Sequence, residues 1–177
     1  MPGPTPHPGL ATDRLTLRPL TLADAAPIAT LLNDFDIARI TSRIPHPYAL
    51  DDARAYLAHL QNADLTCKRV FALESGANRL IGVVGLDPRD DAATELGYWL
   101  GKPFWGQGYM TEAVSAVLKW VGGEWGRRYL VAGHFTDNPA SGRVLTKAGF
   151  LYPGEVRQQH CLARDAPTSS RMMVWLA

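Results

Sequence analysis

One segment constrains the fold of this chain more than any other: a strand-like stretch, a loop with two glycines and an amphipathic helix in direct succession. The strand is predicted at residues 94–100, the glycines are Gly106 and Gly108, and residues 111–121 have apolar side chains at helical spacing. Glycine accepts the positive φ angles that turn successive N–H groups toward one point. The unpaired amides and positive dipole end of the helix add to that field. The segment therefore predicts a cradle for an anion such as a pyrophosphate.

The same loop argues against two common nucleotide-binding classes. It has no Lys-Ser/Thr pair of the kind found in a P-loop, and it lacks the third glycine of a dinucleotide-binding fingerprint. ATP and NAD are therefore poor candidates for the anion. A Gly-x-Gly spacing is also found in ordinary strand-to-helix turns, so the loop by itself does not identify a ligand.

The rest of the pattern predicts one α+β domain. Strands are predicted at residues 15–20, 69–74, 79–86, 94–100, 129–134, from 150 onward and at 171–176, and helices at about 22–33, 36–42, 51–61, 111–121 and 139–148. Because strands and helices mix around one sheet, with no repeat or linker, residues 12–177 are predicted to form a single domain. Residues 1–11, rich in Pro and Gly, are predicted to be a flexible tail.

The composition argues against several classes of function. A formal net charge of +1 gives no sign of nucleic-acid binding. No apolar run approaches the roughly 18 residues of a membrane span, and the N-terminus lacks a signal-peptide layout, so we expect a cytoplasmic protein. Cys67 and Cys161 are interpreted as free thiols, with a disulfide as the alternative. The five histidines have no metal-ligand spacing, and no metal site is predicted.

At the glycine loop the sequence resembles the GCN5-related N-acetyltransferase (GNAT) superfamily. The signature of that family is Gln or Arg followed by x-x-Gly-x-Gly or x-x-Gly-x-Ala, and the matching stretch here is Trp-Gly-Gln-Gly-Tyr-Met at residues 105–110. Gly108 takes the fixed glycine, whereas Trp105 replaces the Gln or Arg and Met110 replaces the small last residue. The run is similar to the Tyr-Trp-Gly-Lys-Gly-Tyr-Ala-Thr-Glu-Ala of ribosomal-protein N-terminal acetyltransferases of the RimJ and RimL type.

Two further blocks carry the resemblance. Residues 137–150 resemble the family's Asn-x-x-Ser-x-Arg-Val-Leu-Glu-Lys-x-Gly-Phe helix, and residues 12–20 resemble the first strand of the same branch. The resemblance implies a splayed, mixed, mostly antiparallel sheet of six or seven strands, flanked by about four helices. It also implies acetyl-CoA as the co-substrate, bound in the splay. The residues that it assigns to CoA are Trp99, Leu100, Trp105, Gly106, Gln107, Gly108, Tyr109, Met110, Thr111, Asn138 and Ser141.

Acyl transfer to an amine needs an unprotonated nucleophile, so a base helps most when the amine has a high pKa. Glu95 is one candidate, because its Glu-Leu-Gly-Tyr-Trp-Leu run matches a recurrent run of the branch and parity puts it on one strand face with Gly97 and Trp99. His134, at the end of the next predicted strand, is the other candidate. The alternatives are structural: a carboxylate that faces solvent or pairs with an arginine, and a histidine hydrogen-bonded at a strand end.

The acid that protonates the leaving thiolate is less well defined by the sequence. Many members of the superfamily have a tyrosine in the last helix, but the alignment puts Leu145 at that position. Ser141 is then the candidate that could contact the thiolate or the CoA chain. A local hydrogen bond in the first helical turn is the alternative for this serine.

The acceptor is an amine that the sequence does not specify. The resemblance places it near the first two helices and residues 87–91, where four aspartates are candidates to attract a cation or are simply solvated: Asp34, Asp36, Asp90 and Asp91. Three functions stay open: acetylation of a protein N-terminus, acetylation of a small-molecule amine, and CoA binding without catalysis. We expect a monomer or homodimer with no nucleic-acid or membrane partner.

Overall fold

Eight strands form one mixed sheet in the part of the chain that the structure describes. The structure is a computed structural model and describes residues 9–76 and 79–177. The strands are β1 (Leu10–Ala11), β2 (Leu15–Pro19), β3 (Arg69–Ser75), β4 (Arg79–Pro88), β5 (Thr94–Leu100), β6 (Tyr129–Phe135), β7 (Val156–Cys161) and β8 (Ala166–Leu176). Their order in the sheet is β1-β2-β3-β4-β5-β6-β8-β7. Neighbouring strands are antiparallel, except for the parallel pair β5 and β6.

Five helices cover the two faces of the sheet within the described residues. They are α1 (Ala25–Leu32), α2 (Phe35–Ala38), α3 (Leu50–Gln61), α4 (Tyr109–Gly123) and α5 (Pro139–Lys147). One hydrophobic core lies between one face of the sheet and helices α4 and α5. A second core lies between the opposite face and helices α1, α2 and α3. The predicted stripe of α4 is confirmed, because its members are all buried in the first core: Ala113, Val114, Val117, Leu118 and Val121.

The predicted α+β class and single sheet are confirmed, but the predicted six or seven strands and four helices were too few. The additional strand is β1, because a strand of two residues has no alternation that a sequence pattern could detect. The helix that the residue pattern predicted at residues 36–42 is present as α2, which is four residues long and capped by the Asp34 side chain. Residues 1–8 of the predicted tail lie outside the described residues, whereas Leu10 and Ala11 pair with β2.

The sheet opens between its two parallel strands. β5 and β6 pair only at Glu95 with Val131 and at Leu96 with Ala132, although both strands continue well beyond these residues. Residues 97–100 of β5 therefore pair with β4 on one side and leave their other edge unpaired toward β6. This opening is the splay that the resemblance implied, and it leaves backbone N–H and C=O groups of residues 97–99 without a strand partner on that edge.

Three features of the described residues relate to the expectations on membrane spans, cysteines and metal sites. Among the helices of residues 9–76 and 79–177, none is long and apolar enough to cross a lipid bilayer. Cys67 and Cys161 are both free thiols, and the second is buried. Residues 9–76 and 79–177 contain no group of three or more His, Cys, Asp or Glu side chains arranged to hold a metal ion.

Candidate active site

The glycine loop turns the chain from β5 into α4. A 3-10 turn at Lys102–Phe104 follows the strand, and Gly106 and Gly108 then have φ angles of +75° and +81°. Side chains are disfavoured in this left-handed region, so the loop geometry explains both glycines. Gly108 is the N-cap and Tyr109 begins the helix, so the unpaired amides of the first turn lie beside the loop. The loop thus has the backbone conformation of a helix N-terminal anion site.

The Trp105 side chain connects the glycine loop to the end of β5. Its indole N–H donates to the Leu100 carbonyl at 2.7 Å, while the ring is partly exposed. Gln107 is similarly occupied, since its amide donates to the Pro103 carbonyl at 3.1 Å. The side chain that replaces the family's Gln or Arg therefore has a structural role in shaping the loop.

Arg14 braces the loop from the side of β2. Its Nη1 donates to the Gln107 carbonyl at 2.9 Å, its Nε donates to Glu112 at 2.7 Å, and its guanidinium lies 4.6 Å from the centre of the Tyr109 ring. Desolvation raises the pKa of Glu112, but hydrogen bonds from Thr12 and Arg14 outweigh it and hold the pKa below its usual value. The negative charge in the first turn of α4 is therefore paired, which reduces its repulsion of an anion at the loop.

A cavity of about 770 Å³ connects the loop to the splay, a volume within the range of about 300–1,000 Å³ that is usual for small-molecule sites. Every predicted site residue except Gln107 lines it. These residues are Glu95, Trp99, Leu100, Trp105, Gly106, Gly108, Tyr109, Met110, Thr111, His134, Asn138 and Ser141. The glycine loop and the helix block at residues 137–150, which both carried the resemblance, therefore meet at one concave site.

Glu95 and His134 lie on opposite faces of the sheet. In the parallel pair, Glu95 is opposite Val131 and Leu96 is opposite Ala132. Because side chains alternate along a strand, Val131 shares the face of Glu95, whereas Ala132 and His134 share the face of Leu96. The face of Glu95 belongs to the side of α1–α3, and the face of His134 belongs to the side of α4 and α5. Both reach the same cavity because the sheet is open between them.

Glu95 faces a group of charged side chains. Its Oε2 is 3.6 Å from Arg43 and 3.6 Å from Arg89, and its side chain is 19% exposed. The adjacent Asp87 is 3.5 Å from Arg43 and 2.8 Å from Lys68. The arginine contacts expected from the structural alternative are therefore present, but the Glu95 side chain is also partly exposed and lines the cavity.

His134 has protein partners at both ring nitrogens. Nδ1 lies 2.9 Å from the Phe135 carbonyl, which can only accept, so this nitrogen carries a proton. In the neutral ring Nε2 then accepts from the Tyr152 hydroxyl at 2.8 Å. The residue as a whole is 7% exposed. These contacts favour the structural interpretation of His134 over a role as base.

The close packing of α5 on this pair gives a stability prediction. A Cβ at Gly142 would lie 2.6 Å from the Tyr152 hydroxyl and 2.7 Å from His134 Nε2. Tyr152 can swing into solvent but the buried His134 cannot, so Gly142→Ala is expected to lower the free energy of unfolding by about 1–3 kcal/mol. Denaturant unfolding measures the change.

The matched control for that substitution is Gly123→Ala. Gly123 is the last residue of α4, and a Cβ there meets nothing within 4 Å. Alanine is the better helix former by up to about 1 kcal/mol, so this variant should be unchanged or slightly more stable. Equal effects at the two glycines would contradict the packing argument.

Ser141 is joined to a tyrosine that sequence reasoning did not select. The Tyr98 hydroxyl lies 2.8 Å from Ser141 Oγ and 3.1 Å from the Ser141 carbonyl. Burial raises the pKa of Tyr98 and the hydrogen bond with Ser141 opposes this only in part, so the phenol stays protonated at neutral pH. Asn138 caps α5 by accepting from the Ser141 N–H at 3.3 Å. Leu145 is fully buried in the core and provides no substitute for the family's tyrosine.

The aspartates predicted to attract an amine are not among the cavity residues: Asp34, Asp36, Asp90 and Asp91. Asp36 pairs with Lys102 at 2.6 Å, and Asp34 caps α2 by accepting from the Asp36 N–H. The carboxylates that line the cavity are instead Asp87 and Glu95. Arg14, Arg43 and Tyr98 had no local sequence signal, because their partners lie far along the chain.

The fold and this site define an acetyltransferase of the GNAT type, and the comparison with known families agrees. The profile described as "Acetyltransferase (GNAT) domain" matches residues 14–151. The match covers most of the chain, from Arg14, which contacts the glycine loop, to Leu151, shortly after the end of α5. The chain therefore belongs to the GNAT acetyltransferase family.

Relatives and solved structures extend this finding. The chain is 29% identical over 161 residues to "Uncharacterized N-acetyltransferase YoaA" of Bacillus subtilis (strain 168), covering 85% of this chain and 87% of that protein. Its fold is similar to RimL, a ribosomal L7/L12 alpha-N-protein acetyltransferase in complex with coenzyme A, with a TM-score of 0.83 at 18% identity, covering 96% and 98% of the two chains. It is also similar to the spermidine N-acetyltransferase of Vibrio cholerae in complex with CoA and spermine, with a TM-score of 0.77 at 20% identity, covering 93% and 96%.

Proposed function

We propose that this chain transfers an acetyl group from acetyl-CoA to a primary amine by direct attack of the amine on the thioester. One observation carries the proposal: the positive-φ loop at the start of α4 opens into the same cavity as the splay and Glu95. An anion cradle, an unpaired strand edge and a carboxylate are therefore arranged along one site. Solved structures of similar fold that contain CoA support the choice of co-substrate.

Each part of the cavity has a role in this proposal. Backbone amides of Gly106, Gly108 and the first turn of α4 bind the pyrophosphate. The unpaired edge of residues 97–99 offers N–H and C=O groups to the amide-containing arm of CoA. Trp99, Asn138 and the other predicted residues of the cavity wall enclose that arm. The amine approaches from the side of α1–α3, where Glu95 lies.

The proposed chemistry forms one C–N bond and breaks one C–S bond. An ammonium acceptor first loses a proton to Glu95, directly or through water, and its nitrogen then attacks the thioester carbonyl carbon. The nitrogen loses a second proton as the amide forms. The leaving thiolate takes one proton from the Ser141 hydroxyl. Ser141 is then reprotonated through solvent by the second proton that the nitrogen has lost. The products are the amide, the CoA thiol and one proton released to water.

Ser141→Ala is expected to lower kcat by about tenfold or more, because the thiolate then leaves without a nearby proton donor. The KM for acetyl-CoA should change by less than about threefold, since backbone amides provide the binding. Steady-state kinetics with acetyl-CoA as the varied substrate separates the two parameters. Tyr98→Phe should lower kcat in the same direction but by less, because Tyr98 only positions the serine. A rise in KM alone would make Ser141 a binding residue.

The proposed function is tested by amine-dependent release of the CoA thiol from acetyl-CoA, with mass spectrometry of the acetylated product. The panel contains peptides with free N-termini, free amino acids and polyamines. A non-catalytic module predicts that calorimetry detects acetyl-CoA binding while no amine releases thiol. Absence of both binding and release would overturn the proposal. The cytoplasmic location and the monomeric or homodimeric state stay predictions, and the protein or small-molecule nature of the acceptor is decided by the panel.

A further inference from the structure

Arg43 is a cation in the cavity whose hydrogen-bonding capacity is not used. It lies between α2 and α3, its side chain is 67% exposed, and it lines the cavity together with Glu95. Its nearest carboxylate contacts are 3.5 Å to Asp87 and 3.6 Å to Glu95. Charge-assisted hydrogen bonds are usually about 2.7–2.9 Å, so neither contact has the length of a formed bond. Within the described residues, the five N–H donors of this guanidinium have no closer acceptor.

Two other arginines of the molecule have guanidinium groups that are engaged in short hydrogen bonds within the protein. Arg18 donates to Asp24 at 2.7 and 2.8 Å and to Glu74 at 2.8 Å. Arg14 donates to Glu112 at 2.7 Å and to a backbone carbonyl at 2.9 Å. These two arginines hold structure together. The longer contacts and high exposure of Arg43 are those of a side chain that is available to a ligand.

Glu95 has the opposite charge and, like Arg43, hydrogen-bonding capacity that its protein contacts do not use. Both of its ion contacts are 3.6 Å long, one to Arg43 and one to Arg89, so no described group satisfies its carboxylate at hydrogen-bond distance. The neighbouring Lys68 and Asp87 differ, because they are joined at 2.8 Å. The cavity thus presents one anion and one cation side by side, each with free hydrogen-bonding sites.

On the basis of the proposed acetyltransferase function, we propose that the acceptor is a primary amine with a carboxylate close to the amine. The ammonium binds Glu95, which also takes its proton, and the carboxylate binds the guanidinium of Arg43. A planar guanidinium matches a carboxylate with two parallel N–H···O bonds. Because the two protein charges are adjacent, they select a ligand whose opposite charges are also adjacent. A polyamine brings a second cation toward Arg43 and is disfavoured.

Two sources supply this chemistry: a free α-amino acid, or a peptide whose N-terminal residue is followed by an acidic side chain. Each source has an isosteric partner without the carboxylate. L-serine is compared with L-serinamide, and Ser-Asp-Ala-amide is compared with Ser-Asn-Ala-amide. Initial rates of CoA thiol release are measured with the purified full chain and expressed per protonated amine, the form that binds Glu95 in this proposal, using the measured pKa of each acceptor. Spermidine is the cationic comparison.

In one of the two pairs, the carboxylate-bearing acceptor is expected to have a kcat/KM at least about tenfold above its amide, a ratio equivalent to about 1.4 kcal/mol. The pair that shows the preference identifies the source. Arg43→Gln should reduce that preference to less than about twofold, chiefly by raising the acceptor KM, and should raise the rate with spermidine. Arg43→Lys should restore only part of the preference, since an ammonium lacks the planar fork.

Arg54→Gln is the matched control. Arg54 is also highly exposed, at 62%, but it pairs with Asp51 on α3 and is not among the cavity residues. Its substitution should leave every ratio unchanged, and thermal unfolding should show that all variants are folded. Amine acetylation with no preference for the carboxylate in either pair would overturn this inference while supporting the proposed function. An equal loss of activity with all acceptors in Arg43→Gln would overturn this inference in the same way. Absence of thiol release with every amine tested would overturn both this inference and the proposed function.

Discussion

Gly108→Asp is expected to lower the affinity for acetyl-CoA by between about 30-fold and about 1,000-fold. The substitution places a carboxylate in the cradle where the proposed pyrophosphate binds. Two unit charges about 4 Å apart repel by about 4 kcal/mol at an effective dielectric constant of about 20, and half of that energy already corresponds to about 30-fold. The nearby Arg14 cannot fully compensate, because it is already paired with Glu112 at 2.6 Å. Calorimetric titration with acetyl-CoA measures the loss.

Backbone strain must be separated from the charge effect. Gly108 has a φ of +81°, so any side chain there is strained by roughly 1–2 kcal/mol. Gly126 has a similar φ of +71°, and a Cβ there meets nothing within 4 Å. Gly126→Asp therefore introduces the same charge and similar strain away from the cradle, and it should bind acetyl-CoA normally. Unchanged affinity in a folded Gly108→Asp protein would contradict binding at this loop.

Glu95→Gln is expected to lower kcat/KM by roughly 100-fold for an acceptor with the pKa of an alkylamine, near about 10.4. Such an amine is almost wholly protonated at neutral pH and needs a base. An α-amino group, with a pKa near about 7.7–8.0, should lose only about tenfold or less. The measurement is kcat/KM at neutral pH with one acceptor of each kind, each with its pKa determined separately.

His134→Ala is the informative comparison for that experiment. The ring is buried and hydrogen-bonded at both nitrogens, so its removal should destabilise the protein by about 1–3 kcal/mol. Activity per folded molecule should change by less than about threefold. The opposite result, with His134→Ala lowering kcat/KM for the alkylamine and Glu95→Gln leaving it unchanged, would make His134 the base. Normal activity in both variants and in the double variant would mean that the acceptor loses its proton to water.

The acceptor preference bears on both experiments. If Glu95 binds the ammonium as well as accepting its proton, Glu95→Gln raises the acceptor KM in addition to lowering kcat. Arg43→Gln should raise the KM of carboxylate-bearing acceptors and change kcat much less. The two side chains contact each other, so their effects are expected to be non-additive in the double variant.

Local patterns in the sequence were sufficient for the elements that carry the cofactor site. The glycines of the loop, the apolar stripe of α4 and the cap at Asn138 each depend on residues within one or two turns of the chain. Backbone sterics and hydrogen bonding act over that range, so these features can be predicted from sequence alone. Together with their order and spacing, they also indicated the family to which the chain belongs.

Contacts between distant residues were decided only by the tertiary structure. The parallel register of β5 and β6 puts Glu95 and His134 on opposite faces, and a shift by one residue would have exchanged the face of either. Arg14 meets Glu112 across 98 positions, and Tyr98 meets Ser141 across 43. Arg43 reaches Glu95 from the segment between α2 and α3. Local propensity carries no information on such pairs, because sheet register and helix packing bring them together only when the whole core forms.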